Sequence, residues 1–220
     1  MKKLIVMTLC LTMMSSFAGC SETPSKEASG EQVENEVVSE KEFSMGEIDG
    51  LVYENEFIGI GCELEDEWSF MSDEEIKELN NITGDVAGEE YEELLEDAEL
   101  IYDMYAIGGN QLDSINVNLE KYDKVTLDSL VVEDALENTI PILEKSFGNM
   151  GYTDIETYLD KINIEEEEFT CLYLTGEIEG VRIYQKVFPI KCNGYLANVT
   201  ITTYEEDRVD SLAERFYFVE

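Results

Sequence analysis

The sequence predicts an α+β domain over residues 51–220, with an antiparallel β-sheet sandwiched between helices. Three observations lead there. Most of the second half alternates apolar and polar residues at period two, which is the signature of strands. Asn193-Gly194 joins two of those runs with residues that tolerate positive φ, a two-residue hairpin turn. Val132, Leu136, Ile140, Leu143 and Phe147 recur at steps of three and four, which marks the longest amphipathic helix.

The chain opens with Lys2 and Lys3, an apolar run over residues 4–14 and small residues up to Ala18-Gly19-Cys20. The apolar run is shorter than the roughly 20 residues needed to span a bilayer, and its flanks are those of a cleaved export signal. Ala18-Gly19-Cys20 resembles the lipobox of bacterial lipoproteins, with Phe17 where leucine is usual. The resemblance implies that residues 1–19 are a signal peptide, that Cys20 carries a diacylglyceryl group, and that the mature chain is extracytoplasmic and lipid-anchored to the bacterial cell membrane. Residues 20–50 are rich in Ser, Glu and Gly and poor in large apolar residues, so they are expected to form an acidic, disordered tether.

Charge narrows the partners. With 51 acidic and 14 basic residues the formal net charge is −37. A field of that sign repels nucleic acid and anionic headgroups, so a charged partner is expected to be cationic: a metal ion, a basic peptide or a basic protein face. The chain has no histidine, which removes the commonest general base and the Ser-His and Cys-His nucleophile pairs. Cys62, Cys171 and Cys192 follow the signal and Cys20; they show no CxxC spacing, and three thiols cannot all pair. No cofactor is expected.

Residues 51–64 read as a first hairpin, with Asn55-Glu56 at the turn and Ile58, Ile60, Cys62 and Leu64 alternating. Gly59 and Gly61 lack the third glycine and following helix of a nucleotide loop; they let another backbone or the Trp68 ring lie close. Ser72 and Glu75 form a capping box inside a Met71/Ile76 hydrophobic staple, starting a helix to about residue 80. Residues 89–98 resume helical spacing. Residues 100–107 and 114–120 are strands joined around Gly108-Gly109-Asn110, the second burying Ile115, Val117 and Leu119 and turning Asn116, Asn118 and Glu120 to water or polar cover. Pro141 is expected to kink or restart the long helix, and Gly148 or Gly151 to end it. Strands follow over 156–164, 169–176, 181–190 and 195–204. Cys192 opposite Tyr195 sets Ile190 against Ala197, Phe188 against Val199 and Lys186 against Ile201. Leu172, Leu174, Ile183 and Val187 make the reverse face apolar too, as if helices covered both sides. Val209, Leu212, Ala213 and Phe216 form a last amphipathic helix.

Few residues point to chemistry. Carboxylate pairs occur at almost any spacing in so acidic a chain, so no acid/base pair stands out. Glu165 to Glu168 form either a solvated turn or a calcium-gathering cluster, without a DxDxDG loop. Asn81-Ile82-Thr83 and Asn198-Val199-Thr200 match glycosylation sequons by accident in a bacterial chain. Arg182 and Lys186 share a face, with Lys191 on the same strand; they either neutralise neighbouring carboxylates or contact an anionic ligand or partner. Trp68, the single tryptophan, is either a core plug or an interface anchor.

Element order and local features resemble the PsbP-like α/β/α sandwich. Residues 53–60 leading to Trp68 look like that family's opening strand pair and tryptophan, Met104-Tyr105 before Ser114-Ile115-Asn116-Val117 like its middle strands, and the terminal helix into Phe216 like its closing element. The family's proline before the tryptophan is replaced by Glu65-Asp66-Glu67. The resemblance implies a single domain over 51–220 that is an adaptor or assembly module and not an enzyme. The expected function is that of a surface-anchored, non-catalytic protein-binding module, with another cell-surface protein as partner. The alternative is an extracytoplasmic binder of a divalent cation or a basic peptide.

Overall fold

The computed structural model describes residues 42–72, 74–76 and 100–219. The signal segment with Cys20, the expected tether up to residue 41, the sequon at Asn81 and the expected helical stretches over 77–80 and 89–98 lie outside the described residues.

The fold is α+β, built on two antiparallel sheets. The larger has seven strands: β4 (Ser69–Phe70), β5 (Leu100–Ile107), β6 (Ser114–Lys121), β7 (Thr153–Ile164), β8 (Glu167–Ile178), β9 (Val181–Cys192) and β10 (Tyr195–Thr203), in spatial order β4-β5-β6-β10-β9-β8-β7. The smaller has β1 (Glu47–Asp49), β2 (Val52–Asn55), β3 (Ile60–Glu63) and β11 (Phe216–Phe218), in order β1-β2-β3-β11. The helices are α1 (Lys124–Ser129), α2 (Val132–Asn149) and α3 (Glu206–Ala213).

Local chemistry sets the register. Asn193 and Gly194 take φ of 40° and 86°, and the hairpin they close pairs Cys192 with Tyr195, Ile190 with Ala197, Phe188 with Val199 and Lys186 with Ile201. Every one of those pairs is the expected one. The capping box also forms: the Ser72 backbone N–H donates to Glu75 Oε2 at 2.9 Å, the Glu75 N–H donates to Ser72 Oγ at 3.4 Å, and Met71 packs with Ile76 around Tyr105.

One face of the large sheet presents Ile115, Val117, Leu119, Phe188, Ala197, Val199 and Ile201 to Tyr53, Ile60, Cys62 and Phe216 of the small sheet and to Val209, Leu212 and Ala213 of α3. On the other face α2 lays Leu136, Leu143 and Phe147 over Leu172, Leu174, Ile183 and Val187. Each such side chain contributes roughly 1.5–3 kcal/mol by leaving water.

Four expectations are corrected. A second sheet, with α3, covers the face expected to lie under helices alone. Phe216 belongs to β11, opposite Cys62, because α3 stops at Ala213. The long helix does not restart at Pro141 but continues through it, since Pro141 and Glu137, whose carbonyl loses its partner, both lie on the exposed side where water can bond that carbonyl. It ends at Gly151, φ 95°, where the Tyr152 N–H donates to the Phe147 carbonyl at 3.0 Å and the Gly151 N–H to Gly148 at 3.1 Å, a Schellman motif. Finally, the folded chain reaches back into the expected tether. Phe43 stacks on Tyr195 at 5.1 Å, the Gly46 N–H donates to Asp103 at 2.8 Å, and β1 pairs with β2.

Candidate functional site

Strands β6 and β10 lie side by side in the middle of the large sheet, paired Ser114 with Thr202, Asn116 with Thr200, Asn118 with Asn198 and Glu120 with Leu196. Partners opposite one another share a face, and the intervening residues are the apolar ones already placed in the core. The sequence therefore puts a ladder of amides, hydroxyls and one carboxyl on the second face of the sheet. These side chains are not wet: Asn118 and Asn198 are 0% exposed and Glu120 4%. Of the two expectations for Asn116, Asn118 and Glu120, water or polar cover, burial removes the first, and the neighbouring polar side chains of β10 supply the second in part.

Internal bonds satisfy only part of the ladder. Asn198 Nδ2 donates to Asn118 Oδ1 at 3.3 Å, and Asn118 Nδ2 donates to Asn116 Oδ1 at 3.5 Å. Ser114 Oγ, Asn116 Nδ2, Glu120 Oε2, Asn198 Oδ1, Thr200 Oγ1 and Thr202 Oγ1 have no hydrogen-bond partner among the described residues. One unmet buried polar atom costs about 1–3 kcal/mol. These atoms are the largest concentration of unmet hydrogen-bonding capacity among the described residues. Burial raises the Glu120 carboxyl to about 7, a bond from Tyr122 opposing it.

Flanking strands complete the surroundings. On β5, Tyr102 and Tyr105 are the cross-strand partners of Asn118 and Asn116, so their rings share the polar face. On β9 the neighbours of Thr202, Thr200 and Asn198 are Gln185, Val187 and Pro189.

The residues singled out from sequence go elsewhere. Trp68 is 4% exposed and packed in the apolar cluster between the sheets, not on a contact surface. Its ring is not what Gly61 admits: the Tyr217 ring lies there, its hydroxyl bonded to Glu54 at 2.8 Å. Lys186, its side chain 7% exposed, bonds Asp210 of α3 at 2.7 Å, Asp160 of β7 at 3.0 Å and the Lys161 carbonyl at 3.2 Å. Burial pulls its ammonium down, and the two carboxylates outweigh that and hold it above the usual lysine value. Arg182 lies within 3.7 Å of Glu177 and 4.0 Å of Asp154. The structure therefore engages both with carboxylates and does not bring them together around a ligand. Lys191 reaches the carbonyl of Leu130, the residue that caps the C-terminus of α1.

Three further observations limit the chemistry. Cys62, Cys171 and Cys192 are free thiols pushed up to about 12 by burial, far from thiolate at neutral pH. Among the described residues no group of three or more Cys, Asp or Glu is arranged to hold a metal ion. Glu165 and Glu166 form the two-residue turn between β7 and β8.

Among the described residues the large sheet also has an open side. β7 is a twelve-residue edge strand paired only with β8 among the described strands. Tyr158 at its middle is 47% exposed and stacks on Tyr173 at 4.7 Å. Asp154, Glu156 and Asp160 line the strand, Glu206 and Asp210 of α3 border one side of it, and Glu133 of α2 borders the other, bonded to Thr170.

No family model and no curated protein matches this chain. Among solved structures, a protein of unknown function from Pseudomonas aeruginosa superimposes on 49% of this chain and 68% of its own, with 12% sequence identity and a TM-score of 0.29. That score is too low to establish a common fold.

Proposed function

We propose that the chain is a bacterial lipoprotein, anchored outside the cytoplasm by a diacylglyceryl group on Cys20, whose PsbP-like domain is a non-catalytic protein-binding module. The observation that carries this reading is the open edge of β7. A row of unpaired backbone donors and acceptors on a long edge strand is a template for an added strand. Edges this long are normally shortened, bulged or covered; β7 is irregular between Thr153 and Glu156, and the regular stretch from Glu156 to Ile164, with the exposed Tyr158 in it, fits a docking edge. The occupant is an extended, basic segment of another cell-surface protein: backbone bonds supply the affinity, and the carboxylates beside the edge select lysine and arginine over acidic side chains. The absence of histidine and the protonated thiols support a role without catalysis.

Crosslinking in intact cells tests it. Glu156→Cys carrying a photoreactive probe should capture a discrete partner, while Glu214→Cys, exposed at the end of α3, should not. Identical adducts from both positions, or none from Glu156→Cys, would exclude β7 as the docking edge.

A further inference from the structure

We infer that the β7 edge selects an extended segment with basic residues at alternate positions, their side chains on the α3 side of the sheet, and with apolar residues between them turned to the α2 side. The inference rests on β7 being the docking edge proposed above and specifies what that edge reads. Residues of an added strand share a face with the β7 residues opposite them, so the two faces of β7 dictate two kinds of side chain.

Backbone geometry sets the frame. Glu165 and Glu166 form a two-residue turn, so Ile164 and Glu167, paired across it, exchange both of their backbone bonds. Back along the regular stretch of β7, Ile162, Asp160, Tyr158 and Glu156 likewise turn their amides to β8, while Thr157, Leu159, Lys161 and Asn163 turn theirs outward. In an antiparallel addition Glu156, Tyr158 and Asp160 therefore take the non-hydrogen-bonded positions, where facing Cα atoms are about 4.5 Å apart and side chains lie closest.

Those three side chains are on the α3 side. Tyr158 stacks on Tyr173, whose hydroxyl bonds Glu206 at 3.5 Å, and Asp160 shares Lys186 with Asp210. Four carboxylates, Glu156, Asp160, Glu206 and Asp210, thus stand on this side against one ammonium, Lys186, whose side chain is 7% exposed and out of a partner's reach. After burial, Asp160 and Glu206 are the strongest causes raising the Tyr158 phenol, so both lie beside its ring. The exposed part of that ring suits a guanidinium, which stacks on an aromatic and bonds carboxylates at once.

The α2 side differs. Leu159 packs against the α2 cluster, Thr157 is half-buried, and the charge that this stretch of β7 carries there is Lys161, held to Thr170 at 2.9 Å and to Glu168 at 3.6 Å. Glu133 of α2 is itself bonded to Thr170. A basic side chain on this side would meet Lys161, whereas an apolar one extends the α2 cluster. A second copy of β7 is a poor occupant: antiparallel self-pairing centred on Tyr158 sets Glu156 opposite Asp160, like charges directly across.

The test uses the full chain in about 0.15 M salt, which screens diffuse attraction between a cationic peptide and so acidic a protein. Two fluorescent peptides of equal composition are the probes, alternating Arg-Val-Arg-Val-Arg-Val-Arg and the block Arg-Arg-Arg-Arg-Val-Val-Val. The alternating peptide should bind about tenfold more tightly, because the extended block peptide cannot keep its cations on one face. Glu156→Gln should weaken it about threefold, the scale of one exposed ion pair, while Glu214→Gln, which removes the same charge at the end of α3, should leave it unchanged. Equal binding of the two peptides would overturn the inference and leave the docking edge in place wherever Glu156→Cys still captures its partner in cells. Equal losses from Glu156→Gln and Glu214→Gln would reduce the effect to net charge and overturn it as well. No binding of either peptide would also overturn it, and with it the docking edge if Glu156→Cys captures nothing. Peptide binding that fades as the protein is concentrated would give β7 to a second copy instead.

Discussion

Replacing Glu120 with glutamine should make the protein more stable at neutral pH, and the gain can be worked out. The carboxyl is buried on β6, and burial raises it from 4.5 to about 7. Below pH 4 it is protonated in both folded and unfolded states and adds no pH dependence. Between 4.5 and 7 the unfolded chain gives up the proton while the folded chain keeps it, so the folded state binds more protons and stability falls as pH rises. Above 7 the loss is complete. A difference of about 2.5 units corresponds to about 3 kcal/mol at 1.36 kcal/mol per unit. Glutamine keeps the shape and loses the titration. Urea unfolding of Glu120→Gln and wild type at pH 4, 5.5 and 8 isolates this group, because every other carboxylate cancels in the difference. The variant's advantage should grow by about 3 kcal/mol from pH 4 to pH 8, with most of the change between 4.5 and 7. A pH-independent difference, or one that shrinks as pH rises, would refute the claim that Glu120 is held neutral by burial.

Two stability predictions follow from packing. Trp68→Ala should cost about 3–5 kcal/mol in chemical denaturation, since the ring is buried between the two sheets; a loss below about 1 kcal/mol would place the ring at the surface instead. Gly61→Ala should cost about 1–3 kcal/mol, because a Cβ would lie 2.7 Å from the Tyr217 ring. Pairing it with Tyr217→Ala should recover most of that loss, and a double mutant as destabilised as the sum of the singles would contradict the steric cause.

Elements governed by local chemistry were legible in the sequence. The register of β9 and β10 followed from a turn that only a few residue pairs can make, and the start at Ser72 from a reciprocal pair of hydrogen bonds. The apolar reverse face at Leu172, Leu174, Ile183 and Val187 was equally readable, because period two assigns faces without knowing what lies on them. What covers a face is a tertiary fact. Phe216 continues the helical spacing of Val209 and Leu212, and its place in β11 depends on Cys62, more than 150 positions away. The candidate site was missed for the same reason. Alternating Asn116, Asn118 and Glu120 read equally as a wet face or a polar-covered one, and only the placement of β6 between β5 and β10 decides for cover. The available signal was the matching polar run of Asn198, Thr200 and Thr202, since two polar runs that pair inside a sheet cannot both face open water as cheaply as one at its rim.

The way the chain enters the domain has a mechanical consequence. Phe43 grips Tyr195 on β10, and Gly46 is tied to Asp103 on β5, which also accepts from the Tyr53 hydroxyl and from Asn55 at 2.7 Å. Tension on the chain ahead of residue 42 therefore meets the large sheet first, at two points on different strands. The three-residue β1, paired only with β2 in the small sheet, lies behind those grips and is shielded from the load until they give way. A pull from that end would be borne by an aromatic stack and a buried carboxylate before any strand began to unzip.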